Sequence, residues 1–318
     1  MRATGPAATS LTVAGLTCRT RDPALERWLA TLADRAPTQA GKTLDQQVAY
    51  WERDRGSCWD LAPGATPCWS FRSVTGFVRD DRPVFCVPGG AVWLADPAHA
   101  RVFGEPQAAE SVWQDLLLAS VFELAAAAGA VALHAAVLEW RACGLLVAAP
   151  SGAGKSTFTY CSAIAGACYS GDDVAVVRPR GPGWRARGFG VGIRVYPETR
   201  VADDPFVPYV ARDGDGKVSL APVPDRVCRA DEIAIRRLVF LCPGHGEISF
   251  WRICDPAEVL PRLLGHVALA LTPTVAARQL EQVGRLARLP AGELRTGREL
   301  LASPAEHTSA VLDRVCHE

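Results

Sequence analysis

The run Ala149-Pro150-Ser151-Gly152-Ala153-Gly154-Lys155-Ser156 constrains this chain more than any other stretch of it. The apolar segment Gly144-Leu145-Leu146-Val147-Ala148 leads into it, and the helix-compatible Thr157-Phe158-Thr159-Tyr160 follows. A strand, a tight glycine-bearing loop and a helix in that order can cradle a polyphosphate. Gly152 and Gly154 let the backbone turn its N–H groups toward the phosphates, where the new helix presents its positive end. Lys155 would neutralise the β- and γ-phosphates, and the Ser156 hydroxyl would ligate Mg²⁺. The nucleotide-contacting set is then Ser151, Gly152, Ala153, Gly154, Lys155, Ser156 and Thr157. Ala149 stands where this motif usually has glycine, which is tolerable only if that residue needs no positive φ.

Charge and composition exclude several classes. The 318 residues balance 34 basic against 34 acidic side chains and carry no charged tail, so nothing points to nucleic acid or an anionic membrane. The N-terminus lacks the pattern of a signal peptide. Leu116 to Leu138 is apolar, but Glu123 and His134 interrupt it and its end alternates like a strand. A buried helix feeding a buried strand is expected there, not a membrane span. The eleven cysteines include no C-x-x-C pair, which predicts reduced, mostly buried thiols in a cytoplasmic protein.

The pattern divides the chain into an N-terminal α+β domain, 1–108, and a second domain, 109–318. The first holds short strands separated by turns, among them a hairpin of Pro83–Val87 and Ala91–Leu94 across Gly89-Gly90. Helices are expected at about 24–35 and about 44–53, and the tryptophans at 28, 51, 59, 69 and 93 read as packing residues. From Glu110 apolar residues recur at helical spacing. Val131–Trp140 then reads as a strand, joined to the loop's lead-in strand by a turn too short for a parallel crossover. The two strands must form an antiparallel hairpin, so the sheet is mixed. Further on, Ile233–Leu241 and Ile248–Arg252 read as strands, 256–271 as a helix and 289–294 as a short edge strand. Ser303–Val315 reads as a closing helix capped by Ser303.

Beyond the loop helix, Gly171-Asp172-Asp173 precedes the strand Val174-Ala175-Val176-Val177. Adjacent carboxylates there suit a metal-and-base role or, equally in isolation, a polar β-turn. His134, on an apolar strand, reads by default as a core histidine.

Three elements together resemble the HPr kinase/phosphorylase family and its relatives among bacterial P-loop serine kinases. They are His134, fifteen residues before the loop begins, the loop itself, and Asp172, eighteen residues beyond Gly154. The resemblance covers roughly residues 130–178. It implies a mixed-sheet α/β kinase core of the phosphoenolpyruvate carboxykinase-like type, using ATP or GTP as co-substrate with Mg²⁺. By position it implies Asp172 as the base taking the acceptor's proton, Asp173 as helping to hold Mg²⁺ with Ser156 as the direct ligand, and His134 beside the phosphates and the aspartates, tuning the aspartate's protonation. Arg187, in Arg187-Gly188-Phe189-Gly190, matches the family's arginine-glycine segment by type but follows the aspartates sooner than the family pattern has it. Glu198 and Lys217 are further candidates for metal and phosphate contact. The family makes a homo-oligomer an option. Its acceptor would be a serine of a peptide or small protein, such as a ribosomally made peptide precursor. A small-molecule acceptor in natural-product tailoring, or a nucleotide-binding regulator without transfer, are the alternatives. The N-terminal domain is unlike that of HPr kinase itself, which leaves HPr as acceptor and a reverse phosphorylase reaction without support.

Overall fold

A computed structural model describes residues 9–13, 16–34, 48–54, 67–71, 74–87, 90–96, 99–104, 110–189, 192–201, 204–210, 216–223, 225–244 and 246–318. Contacts divide the chain into two units, 1–130 with 269–280 and 131–268 with 281–318, so the boundary falls about twenty residues beyond the sequence-based one.

The first unit is built on an eight-stranded sheet. Its strands are β1 (Thr9–Val13), β2 (Leu16–Thr20), β3 (Val48–Asp54), β4 (Trp69–Phe71), β5 (Val74–Arg79), β6 (Arg82–Val87), β7 (Gly90–Asp96) and β8 (His99–Gly104). They lie in the order β1-β2-β3-β8-β7-β6-β5-β4. The expected β6–β7 hairpin is present, pairing Val84 with Trp93 and Val87 with Gly90. Asp80 and Asp81 turn β5 into β6 through two left-handed residues (φ 49° and 57°), a turn whose twist matches that of the strands it joins. Helix α1 (Pro23–Asp34) starts with proline at its first turn and Asp22 accepting the Leu25 N–H, and buries Leu25 and Leu29 on one face. Helix α2 (Glu110–Ala127) buries Leu116, Leu117, Val121 and Leu124.

The helix expected at about 44–53 is not there. Residues 44–47 lie outside the described set, and Val48–Asp54 is a strand held between β2 and β8 by parallel pairing on both sides. A strand with partners on both edges overrides a weak helical pattern in Val-Ala-Tyr-Trp. The side chains of the five tryptophans also lie outside the described set.

The second unit carries a nine-stranded mixed sheet. Its strands are β9 (Val131–Leu133), β10 (Ala135–Trp140), β11 (Cys143–Ala148), β12 (Cys168–Gly171), β13 (Val174–Arg180), β14 (Gly183–Phe189), β18 (Ile233–Cys242), β19 (Phe250–Ile253) and β20 (Ala291–Arg295). β15 (Ile193–Val195), β16 (Phe206–Val210) and β17 (Val218–Pro222) form a separate three-stranded sheet ordered β15-β17-β16. The expected hairpin is β10–β11, with Trp140 opposite Cys143 and Arg141 and Ala142 left-handed between them. On its other edge β11 pairs in parallel with β18, and there the sheet forks. The first part of β18 pairs with β14 and the second part with β20.

Among the described residues five α-helices lie in or enter the second unit: α3 (Lys155–Ile164), α4 (Pro256–Leu264), α5 (Pro273–Leu286), α6 (Glu299–Ala302) and α7 (Pro304–His317), with α5 spanning the contact boundary. One face of the sheet buries Leu145, Val147, Val239, Leu241 and Leu294 with Phe158 and Cys161 of α3 and Leu312 and Val315 of α7. The other buries Leu146, Ala148, Leu238 and Phe240 with Val259 and Leu263 of α4 and Val283 and Leu286 of α5. Side chains of this size each contribute about 1.5–3 kcal/mol on burial, so α3 is fixed by its packing as much as by its chain connection.

Several expectations for this half are corrected. The helix expected over 256–271 ends at Leu264, after which Gly265 forms its C-cap, and α5 follows as a separate helix. The segment 289–294 is not an edge. β20 lies between β18 and β19, and Pro290, just outside the ladder, uses its carbonyl to accept from Leu238 N–H. Ser303 occupies the N-cap of α7, but its side chain makes no capping bond. Not every cysteine is a free thiol, because Cys168 and Cys228 form a disulfide. Of the described free thiols Cys18, Cys161 and Cys254 are buried, and Cys143 donates to or accepts from Cys316. Among the described residues no helix is long and apolar enough to cross a membrane.

Candidate functional site

The loop forms where the sequence places it. Gly152 and Gly154 take the left-handed conformation (φ 82° and 89°), and a Cβ on either would meet open space, so backbone conformation and not crowding requires glycine there. Ala149 is buried and is not among the positive-φ residues, which explains how alanine serves at that position. Gly154 is the N-cap of α3 without a side-chain cap, so the first-turn N–H groups are left for an anion.

The loop's functional side chains converge on one aspartate. Lys155 is buried in the first turn of α3, and its Nζ donates to the backbone carbonyl of Asp172. The Ser156 hydroxyl donates to the Asp172 carboxylate, which also accepts the backbone N–H of Arg194 at β15. Burial pushes the Asp172 carboxyl above its ordinary range and the charge of Asp173 adds to this; Lys155, Ser156 and Arg194 pull the other way. Such a carboxylate is a stronger base than a solvated one.

A backbone crossing holds that aspartate in place. β12 ends at Gly171, directly against Gly188 of β14, and a Cβ on Gly188 would lie 2.2 Å from the Gly171 nitrogen. Ser170 secures the crossing by accepting the Gly188 N–H at 2.9 Å and donating to the Asp231 carbonyl at 3.2 Å. The three-stranded sheet reaches the site through Arg194, and the segment after β15 is tied to α3. There Tyr160 donates to Asp204 at 2.8 Å, and Arg200 donates to the same carboxylate at 2.7 Å.

His134 sits between β9 and β10, with Nδ1 3.3 Å from an oxygen of Asp173. It therefore pairs with Asp173, the outer of the two adjacent aspartates. Its backbone N–H donates to the His266 carbonyl at 2.8 Å. Sequence reading missed His266. Its imidazole is held below its ordinary pKa by burial first, then by the charges of His134 and Lys155, which marks it as a neighbour of the phosphate loop. Nothing in Leu264-Gly265-His266-Val267 signals this, because the contact is made by the return of the chain after α4.

The weaker candidates are spread out. Arg187 lies in β14 opposite Val176, and among the described residues no hydrogen bond or ion pair joins it to the loop. Glu198 lies in a 3-10 turn, Pro197–Thr199, and has no described bond to Lys155, Ser156 or Asp172. Lys217 stacks its ammonium 5.3 Å from the ring centroid of Tyr196.

No protein-family model matches the sequence, and no curated protein matches it. Among solved structures the HPr(Ser) kinase/phosphatase from Coxiella burnetii is similar at 11% identity over 58% of this chain and 87% of that one, with a TM-score of 0.30. At that score the likeness carries no argument about this chain's chemistry.

Proposed function

We propose that the second unit is a Mg²⁺-dependent kinase core of the phosphoenolpyruvate carboxykinase-like type that transfers the γ-phosphate of ATP or GTP to a hydroxyl. The acceptor on this reading is a serine of a peptide or small protein, recognised by the N-terminal unit. The observation that carries it is the convergence of Lys155 and Ser156 on Asp172.

The residues fit a metal–nucleotide. Ser156, Asp172 and Asp173 offer hard oxygen donors, which suit Mg²⁺. Among the described residues no three His, Cys, Asp or Glu side chains gather to enclose a metal, so phosphate oxygens and water would complete its shell. When bound, Mg²⁺ neutralises charge on the phosphate oxygens. Lys155 adds positive charge there, and the Gly152–Gly154 backbone supplies N–H donors. The acceptor oxygen attacks the γ-phosphorus, its proton passes to a carboxylate oxygen of Asp172, the bond to the β-phosphate oxygen breaks, and the nucleoside diphosphate leaves. Asp173, paired with His134, raises the basicity of Asp172 through its charge.

A regulator that never transfers phosphate has no use for a buried, upshifted carboxylate on its loop serine, which favours the enzyme. The test is calorimetric titration with MgATP and MgGTP, followed by product analysis against serine peptides. Lys155→Ala should lose binding and transfer together. If neither nucleotide binds the intact protein, the reading fails.

A further inference from the structure

A second charged centre lies on the same sheet, apart from the loop. Glu293 of β20 is only 5% exposed and accepts from three arginines: Arg262 at 2.8 Å, Arg295 at 2.8 Å and Arg252 at 3.2 Å. Arg252 also reaches Glu258 at 3.0 Å. The arginines come from three elements, α4, β20 and β19, so only the fold assembles them.

Register places this cluster on the sheet face of α4, opposite α3, and four strands from β12 and Asp172, about 19 Å at about 4.8 Å per strand. Ala148, the last residue of β11, pairs with Phe240 of β18, which pairs with Glu293 of β20. Partners in parallel strands project to one face, and at about 4.8 Å per strand Glu293 stands about 10 Å from the root of the loop. Glu293 is the middle residue of β20, and of the three arginines Arg295 stands at that strand's carboxyl end. The Arg262 guanidinium lies 5.7 Å from the Phe240 ring centroid, which fixes its direction.

The cluster has capacity to spare. Each guanidinium carries about five N–H donors, whereas a carboxylate offers about four acceptor positions. Three arginines against Glu293 and Glu258 leave a net positive charge and many unused donors. The side chains of Arg252, Arg262 and Arg295 remain 41%, 31% and 62% exposed, so those donors reach solvent. A buried carboxylate that splays three exposed arginines pre-organises a planar, multidentate anion receptor.

We propose that Arg252, Arg262 and Arg295, oriented by Glu293, form a second anion-binding site, apart from the phosphate loop, for a carboxylate or a phosphate monoester. The site goes beyond the kinase reading and stands or falls independently of it.

Inorganic phosphate is titrated into the intact protein, into Lys155→Ala and into Arg252→Gln/Arg295→Gln. Two phosphate sites are expected in the intact protein and one in Lys155→Ala. In the double arginine variant the second site should weaken at least tenfold while MgATP affinity stays within about twofold. Arg295→Gln alone, at the most exposed arginine, should weaken it severalfold, and keeps the test valid if the double variant melts early. Acetate competing with phosphate in Lys155→Ala assigns the subsite to carboxylates, and absence of competition assigns it to phosphate monoesters. A single phosphate site that disappears with Lys155→Ala, or a second site indifferent to the arginine changes, overturns the proposal. If MgATP fails to bind while the second phosphate site persists, the kinase reading falls and the subsite stands.

Discussion

Asp172 and Glu293 are both buried carboxylates in one unit, and they are treated in opposite ways. Asp172 is pushed above its ordinary pKa because burial outweighs the help of Lys155, Ser156 and Arg194. Glu293 is held at about 2, because hydrogen bonds from Arg295, Arg262 and Arg252 outweigh burial, which is the larger single influence on it and raises it. The difference lies in the donors. Three guanidiniums satisfy Glu293, whereas the lysine beside Asp172 spends its hydrogen bond on the backbone carbonyl and leaves the carboxylate under-compensated. A carboxylate held above its ordinary range and one held below it can therefore be told apart by what surrounds them.

The largest expected effect breaks the first half of that contrast. Asp172→Asn should lower phosphoryl transfer, read as slow hydrolysis of MgATP, by about a thousandfold, the scale of a general base, with nucleotide affinity nearly unchanged. Thermal melting of the same variant should show equal or higher stability, since an amide needs no burial of charge and Lys155 keeps its bond to the residue 172 carbonyl. A variant that still turns over at the native rate would remove Asp172 from the chemistry.

Glu293→Gln is the opposite case. It strands Arg262 and Arg295, leaves Arg252 only Glu258, and should cost about 3 kcal/mol in denaturant unfolding, the lower end for a buried pair because the arginines are partly solvated. No loss would mean that Glu293 orients nothing. The two sites also differ in the sign of their pH dependence. Glu293 binds protons less readily when folded, so its stabilisation is present above the ordinary value of 4.5 and is lost as pH falls from there toward about 2. Asp172 works in reverse, costing stability once the pH rises through its elevated folded value. Unfolding curves of native protein and Glu293→Gln should converge near pH 2, separate between about 2 and 4.5, and stay fully apart above 4.5.

The smallest effect concerns His266. Its folded pKa lies below the ordinary 6.5, so the unfolded chain takes up a proton first and stability falls as pH drops below 6.5. His266→Gln should flatten that part of the curve. An unchanged slope would show that His266 does not feel the positive charge of the loop.

What the sequence showed and what it hid follow the reach of each interaction. The loop was legible because its requirements are local: two left-handed glycines, a lysine and a hydroxyl within eight residues. The β10–β11 hairpin was legible because a two-residue turn permits only antiparallel strands. β3 was misread because its strand character comes from β2 and β8, and β20 because Pro290 suggested an edge that the fold uses instead as a carbonyl acceptor. The disulfide was hidden because Cys168 and Cys228 are 60 residues apart. His266 and the Glu293 cluster are the same kind of case. Each joins residues from elements far apart in sequence, and no spacing rule encodes such a meeting.

The crossing of Gly171 and Gly188 bears on how this protein can change over generations. Neither position tolerates a side chain, since the atoms it would strike are main chain and have no rotamer to yield. The placement of the acid is thus inherited as a backbone fact. Drift can rewrite the walls around the centre while those two positions stay frozen together.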